Sequence, residues 1–205
     1  MSRVLLASRN AKKLAELQRI LGDRVQVLGL GDVRSFEEEP ETGATFEENA
    51  VAKAVQAARE TGEVSLADDS GLSVDALNGM PGVLSARWSG THGNDQANTA
   101  LLLAQLGDVP DERRGAAFVC ALALAVPGAE VRVIRGEWSG RIIREPLGTN
   151  GFGYDPVFVP VESDAAGDGR TSAELSPAEK DVLSHRGRAL AAMLPELTAV
   201  LEKRG

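Results

Sequence analysis

Ser8-x-Asn10-x-x-Lys13 brings a hydroxyl, an amide and a cation to the point where the apolar run Val4 to Ala7 gives way to helical periodicity. The first turn of a helix has N–H groups without intrahelical partners, so this constellation is equipped to hold an anion such as a triphosphate tail. Taken alone, the same residues also read as a helix cap, Asn10, and a solvated cation, Lys13. Carboxylates follow. Glu41 stands beside Thr42-Gly43 at the end of an acidic stretch, and Asp68-Asp69 closes a short apolar strand. Mg²⁺ prefers carboxylate oxygens, keeps several waters and borrows phosphate ligands from its substrate, a demand that two such carboxylates meet. Neighbouring side chains on a regular strand face opposite ways. Asp68 and Asp69 therefore share one site only if the strand stops there, as Ser70-Gly71 permits; otherwise one of them is structural.

Three further groupings carry polar chemistry. Asn49 and Lys53 lie four residues apart on a helical stretch whose opposite side is Phe46, Ala50, Ala54 and Ala57, so they form a polar stripe or an ordinary exposed surface. Gly151-Phe152-Gly153-Tyr154-Asp155-Pro156 sets two aromatics among glycines, which lets a ring stand against a base, or makes a tight turn. Ser184-His185-Arg186-Gly187, with Lys180 before it, supplies hydrogen-bond donors. His92 lies in a polar loop, and no H-x-x-x-H or C-x-x-C spacing points to zinc. Cys120 sits in the apolar run Ala116 to Val126 and reads as a core filler with no chemical role. There is no G-x-x-x-x-G-K-[ST], and Gly29-x-Gly31 lacks the third glycine of a dinucleotide fingerprint.

The elements that must position these residues can be read in order. Val4 to Ala7 predicts a strand, Leu14, Leu17, Ile20 and Leu21 a helix closed by Gly22, and Val25 to Leu30 a second strand. Thr45 and Glu48 form a capping-box signature for a helix over 45–61, ended by Gly62. Strands are expected at Val64 to Ala67 and Leu72 to Val74, with a hairpin turn around Asn78-Gly79. Asn94 or Asp95 caps a helix reaching Leu106, and two long paired strands flank Pro127-Gly128. Glu162 to Gly169 reads as a flexible loop, Ser176-Pro177-Ala178-Glu179 starts a C-terminal helical region, and Pro195 should kink or restart it. Helices interleave with strands while one hairpin is antiparallel, which gives an α/β fold with a mixed sheet flanked by helices.

The chain has 205 residues, 43% of them hydrophobic and 25% charged, ordinary values for a globular protein with a real core. A formal charge of -8 is the wrong sign for wrapping a nucleic-acid backbone, so a small ligand is the expected partner. No stretch approaches ~20 apolar residues and the N-terminal run is too short for a signal h-region. A cytoplasmic protein without membrane contact is expected.

In order and spacing, Ser8-x-Asn10-x-x-Lys13, Glu41-Thr42-Gly43-x-Thr45-Phe46-x-x-Asn49-Ala50-x-x-Lys53-Ala54, Ala67-Asp68-Asp69-Ser70-Gly71-Leu72, Pro81-Gly82, Ser85-Ala86-Arg87, Gly151 to Phe158 and Ser184 to Gly187 resemble the inosine triphosphate pyrophosphatase family over nearly the whole chain. The resemblance implies a single domain over 1–205, an elongated mixed sheet with two lobes around a central cleft, and a homodimer. It implies Mg²⁺-dependent hydrolysis of ITP, dITP and XTP to the monophosphate and pyrophosphate. By position it makes Ser8, Asn10 and Lys13 triphosphate ligands, and Lys53 and Ser70 further substrate-binding residues. Glu41 and Asp69 become the metal carboxylates, and Asp69 the base that activates water. Phe152, Gly153, Tyr154, Asp155, Lys180, His185 and Arg186 become the nucleoside-binding set. Two features depart from the family: a longer stretch between Val159 and Thr171, and Trp88 where tyrosine is commoner, with a packing consequence only. The rival readings are a Maf-type pyrophosphatase, whose Ser-x-Ser-Pro-Arg-Arg start is not matched by Ser8 to Lys13, and a nucleotide-binding module without turnover, which would not need the acidic pair.

Overall fold

The structure is a computed structural model and describes residues 2–22 and 25–204. Its elements run β1 (Ser2–Leu6), α1 (Ala11–Leu21), β2 (Val25–Leu28), α2 (Phe46–Thr61), β3 (Ser65–Val74), α3 (Asp95–Gln105), β4 (Gly115–Ala125), β5 (Arg132–Ile142), β6 (Phe158–Pro160), α4 (Val161–Ala166), α5 (Pro177–Leu183) and α6 (His185–Arg204). The strands form one six-stranded sheet in the order β2-β1-β3-β4-β5-β6. β1 pairs in parallel with β2 and β3, and β5 pairs antiparallel with β6, so the sheet is mixed.

Contacts divide the chain into two compact units. One comprises Met1–Asp69, Cys120–Gly136 and Arg186–Gly205, the other Ser70–Val119 and Glu137–His185. In the first unit, Val4, Leu6, Leu66, Leu122 and Leu124 of the strands meet Leu17 and Leu21 of α1 and Leu190, Met193 and Leu197 of α6. In the second, Leu72, Val74 and Phe118 meet Leu102, Trp138 and Phe158. Phe118 stands edge-on to Phe158 with ring centroids 4.7 Å apart.

Local chemistry sets most boundaries. Thr45 accepts from the Glu48 N–H at 3.1 Å to start α2, and Gly62, left-handed at φ 75°, ends it. Asn94 rather than Asp95 caps α3, accepting from Ala97 N at 3.1 Å. The Ser176–Glu179 capping box forms in full at the start of α5. Trp88 donates its indole N–H to Gln105 at 2.8 Å, a packing role.

Three expectations are corrected. β3 does not stop at Asp68 but runs unbroken over Ser65–Val74. Gly71 is there because a Cβ would collide with the Ser85 hydroxyl and the Gly82 carbonyl, while the Leu72 N–H donates to Ser85 Oγ at 2.8 Å; it marks a close approach, not a strand end. The stretch 162–169 is no simple loop, since α4 occupies most of it, closed by left-handed Gly167 at φ 77°. Of the kink or restart expected at Pro195, the restart is set aside, since α6 runs through it as one helix. Burying Leu190, Met193 and Leu197 contributes ~2 kcal/mol each, which outweighs the ~3 kcal/mol that an internal proline costs.

Candidate active site

The first constellation lies in the first unit and is built on α1, α2, β3 and the loop before α2. Lys53, on α2, extends its ammonium to Glu41 Oε1 at 3.0 Å and Asp69 Oδ1 at 2.9 Å, and donates to the carbonyl of Asp68 at 3.0 Å. Asn49 stands one turn earlier on the same face of the helix. Its amide N–H donates to Asp69 Oδ2 at 3.1 Å, and its oxygen accepts from Gly43 N at 2.8 Å. One side chain thus ties the Glu41–Gly43 loop to the Asp69 carboxylate.

Burial pushes the Asp69 carboxyl above the usual carboxylate range, and the charge and hydrogen bonds of Lys53 and Asn49 offset this only in part. Burial also works against the Lys53 ammonium, but Asp69, Asp68 and Glu41 outweigh it and hold its pKa up. The result is a fixed cation beside a carboxylate of raised basicity, a combination suited to proton transfer from water.

The unbroken strand sets the direction of the Asp68 side chain. Because β3 stays pleated, Asp68 faces away from Asp69 and is buried at 3% exposure. Its Oδ2 meets Lys13 Nζ at 3.0 Å and accepts from Arg186 Nη2 at 3.2 Å and Nε at 3.3 Å. Arg186 Nη1 also donates to Glu16 Oε2 at 2.5 Å. Burial alone would lower the Arg186 pKa, yet Asp68 and Glu16 raise it further above its ordinary value. Asp68 is thus engaged by two cations of the fold, Lys13 and Arg186. Asn10 uses its side-chain oxygen as the cap of α1, accepting from Lys12 N at 3.0 Å and Lys13 N at 3.3 Å, while Ser8 Oγ accepts from Asn10 N at 3.2 Å. Ser70 follows Asp69 on β3, half-buried.

The donor chemistry suits a hard divalent cation. Glu41 and Asp69 each place an oxygen on the same ammonium, so two carboxylates already converge on one positive charge. Among the described residues there is no group of three or more His, Cys, Asp or Glu able to enclose a metal. Two carboxylates with the rest of the shell left to water and phosphate is the pattern Mg²⁺ uses.

The second constellation lies in the second unit. Asp155, 2% exposed, accepts at Oδ2 from Phe152 N at 2.7 Å and from Lys180 Nζ, and at Oδ1 from Ser172 Oγ at 2.8 Å. Lys180 Nζ lies 5.2 Å from the centre of the Phe152 ring. Gly151, at φ 77°, has no room for a Cβ, which would strike the Asp155 carboxylate. Tyr154 is buried and donates its hydroxyl to the Ser85 carbonyl at 2.8 Å. His185 stacks on Phe118 at 5.1 Å and 14° between ring planes. Phe152, Asp155 and Lys180 are therefore brought together. Arg186 pairs with Asp68 and Glu16 in the first unit.

A model of the Ham1 family matches residues 4–196. The chain belongs to the Ham1 family. It is 66% identical over 210 residues to a dITP/XTP pyrophosphatase of Mycolicibacterium paratuberculosis, with 100% of both chains covered. The crystal structure of a nucleoside-triphosphatase / dITP/XTP pyrophosphatase from Mycobacterium abscessus is 63% identical with a TM-score of 0.76, covering 94% of this chain and 99% of that one. A HAM1 protein from Coxiella burnetii reaches a TM-score of 0.83 at 42% identity, covering 97% of this chain and 100% of that one. The family and its mixed α/β fold agree with the resemblance seen in the motifs. Within this Ham1 chain, sequence reasoning passed over Glu16 and Ser172, and left Asn49 as one member of a polar stripe. Glu16 had a signal, for it lies three residues after Lys13 on the same helix. Ser172 had none.

Proposed function

We propose that this Ham1 protein is a Mg²⁺-dependent pyrophosphatase that converts ITP, dITP and XTP to the monophosphate and pyrophosphate. The observation that carries the reading is the Asp69 carboxyl, raised by burial and held between Lys53 and Asn49 with Glu41 on the same ammonium. Phosphoryl transfer asks mainly for positioning and charge neutralisation. In this reading Lys13 and the first turn of α1, with Ser8, Asn10, Lys53 and Ser70, attract the phosphates. Glu41 and Asp69 hold the metal, which would supply further positive charge against the phosphate oxygens. Asp69 takes or orients the proton of the attacking water. Phe152, Gly153, Tyr154, Asp155, Lys180, His185 and Arg186 serve the nucleoside. A site that donates to a 6-keto oxygen leaves its donor facing another donor when adenine presents a 6-amino group, so ATP is rejected.

The names of the relatives from Mycolicibacterium paratuberculosis and Mycobacterium abscessus support this substrate class. Homodimer formation and a cytoplasmic location belong to the same reading and rest on the family resemblance. No helix among the described residues is long and apolar enough to cross a membrane. The test is pyrophosphate release from a panel of nucleoside triphosphates with Mg²⁺ and with excess EDTA. ITP, dITP and XTP should turn over, ATP should not, and EDTA should stop the reaction until Mg²⁺ is restored. Turnover of ATP at the rate of ITP, or full activity in EDTA, would overturn the proposal.

A further inference from the structure

The Phe152-Gly153-Tyr154 turn is held from outside by two residues of α3. Gly153 adopts φ 63°, a region glycine enters freely but has no intrinsic reason to keep. Its N–H donates to Asp95 Oδ2 at 2.8 Å, and its carbonyl accepts from Thr99 Oγ1 at 3.4 Å. These two bonds grip the peptide planes on either side of Gly153 and so fix both of its backbone dihedrals. Asp95 and Thr99 are four residues apart on α3 and share one face of it. Asn94 already caps this helix, which leaves the Asp95 carboxylate available for the long-range bond. On the two sides of the glycine, Phe152 N is held by Asp155 and the Tyr154 hydroxyl by the Ser85 carbonyl. The Phe152 ring, half-buried with Lys180 beside it, is what this frame presents.

We propose that Asp95, assisted by Thr99, is a positioning residue for nucleoside recognition: it locks Gly153 in the left-handed conformation and thereby sets the plane in which Phe152 meets the base. This rests on the reading of Phe152 and Lys180 as nucleoside ligands. Asp95 holds the backbone of the turn that carries Phe152, so its influence falls on the base-bearing part of the substrate. An asparagine keeps an acceptor oxygen at the same reach, whereas an alanine does not.

The experiment compares wild type, Asp95→Ala, Asp95→Asn and Phe152→Ala in steady-state ITP hydrolysis, with inorganic tripolyphosphate as a competitive inhibitor that has no base. Asp95→Ala should raise KM for ITP about tenfold, the lower end for a charge-assisted hydrogen bond, with kcat within about twofold and the tripolyphosphate Ki unchanged. Asp95→Asn should recover most of the loss. Amide exchange at Gly153, followed by NMR, should speed up in Asp95→Ala and remain slow in Asp95→Asn. An unchanged KM and unchanged Gly153 exchange in Asp95→Ala, with KM raised in Phe152→Ala, overturns the clamp and leaves the nucleoside reading standing. An unchanged KM in Phe152→Ala removes that reading and the clamp's function with it. An equal rise of KM and of the tripolyphosphate Ki in Asp95→Ala marks a general structural effect and also overturns the proposal.

Discussion

Adjacent aspartates on one strand should fail in opposite ways when each is replaced by asparagine. Asp68 is 3% exposed and faces both Lys13 and Arg186, and Arg186 is itself 5% exposed. Asp68→Asn takes away the anion facing that buried guanidinium and Lys13, and breaking a buried pair in this way costs about 3–5 kcal/mol. With an unfolding entropy of ~2.1 cal/mol/K per residue over 205 residues, that cost lowers Tm by about 7–12 °C. Asp69 differs because burial already disfavours its ionised form, so removing the charge carries little folding penalty. Its asparagine turns one added donor toward Asn49, at a cost of about 1 kcal/mol and a Tm change of about 2–4 °C. Catalysis reverses the order. Asp69→Asn loses the base and should lower kcat at least ~10²-fold, whereas folded Asp68→Asn should keep kcat within about tenfold. Thermal unfolding beside steady-state ITP hydrolysis measures both quantities on the same preparations. If Asp69→Asn retains near-normal kcat while Asp68→Asn is stable and inactive, the assignment of base and structural residue is wrong.

Lys13→Ala removes a cation that serves the phosphates in the ground state and the transition state alike; KM for ITP should rise and kcat fall modestly, and an unchanged KM would remove Lys13 from the phosphate site. Cys120 is fully buried and its thiol is pushed up to about 12, mainly by burial. A raised native pKa means that its contribution to stability is complete below about 9 and disappears as pH climbs through about 12. At pH 8 iodoacetamide should leave activity intact and label Cys120 only in denaturant; rapid native labelling that tracks inactivation would contradict this.

Much of the fold was legible because its signals are local. The α2 boundaries follow from Thr45, Glu48 and Gly62, and the start of α5 from Ser176, Pro177 and Glu179, since caps involve backbone groups within a turn of the capping residue. The order of the motifs likewise identified the family without a structure. Tertiary structure decided what depends on partners far away in sequence. Gly71 read as a strand end until Ser85 and Gly82 were found against it, and that continuity of β3 is what sends Asp68 to Arg186 and Asp69 to Lys53. Pro195 read as a kink or restart because the local cost was visible and the burial of Leu190, Met193 and Leu197 was not. The distant partners of Glu16, Ser172 and Asp95 were hidden for a related reason. A carboxylate or hydroxyl carries no mark of the partner it will meet, and these partners lie 170, 17 and 58 residues away along the chain, brought into reach only when the core closes.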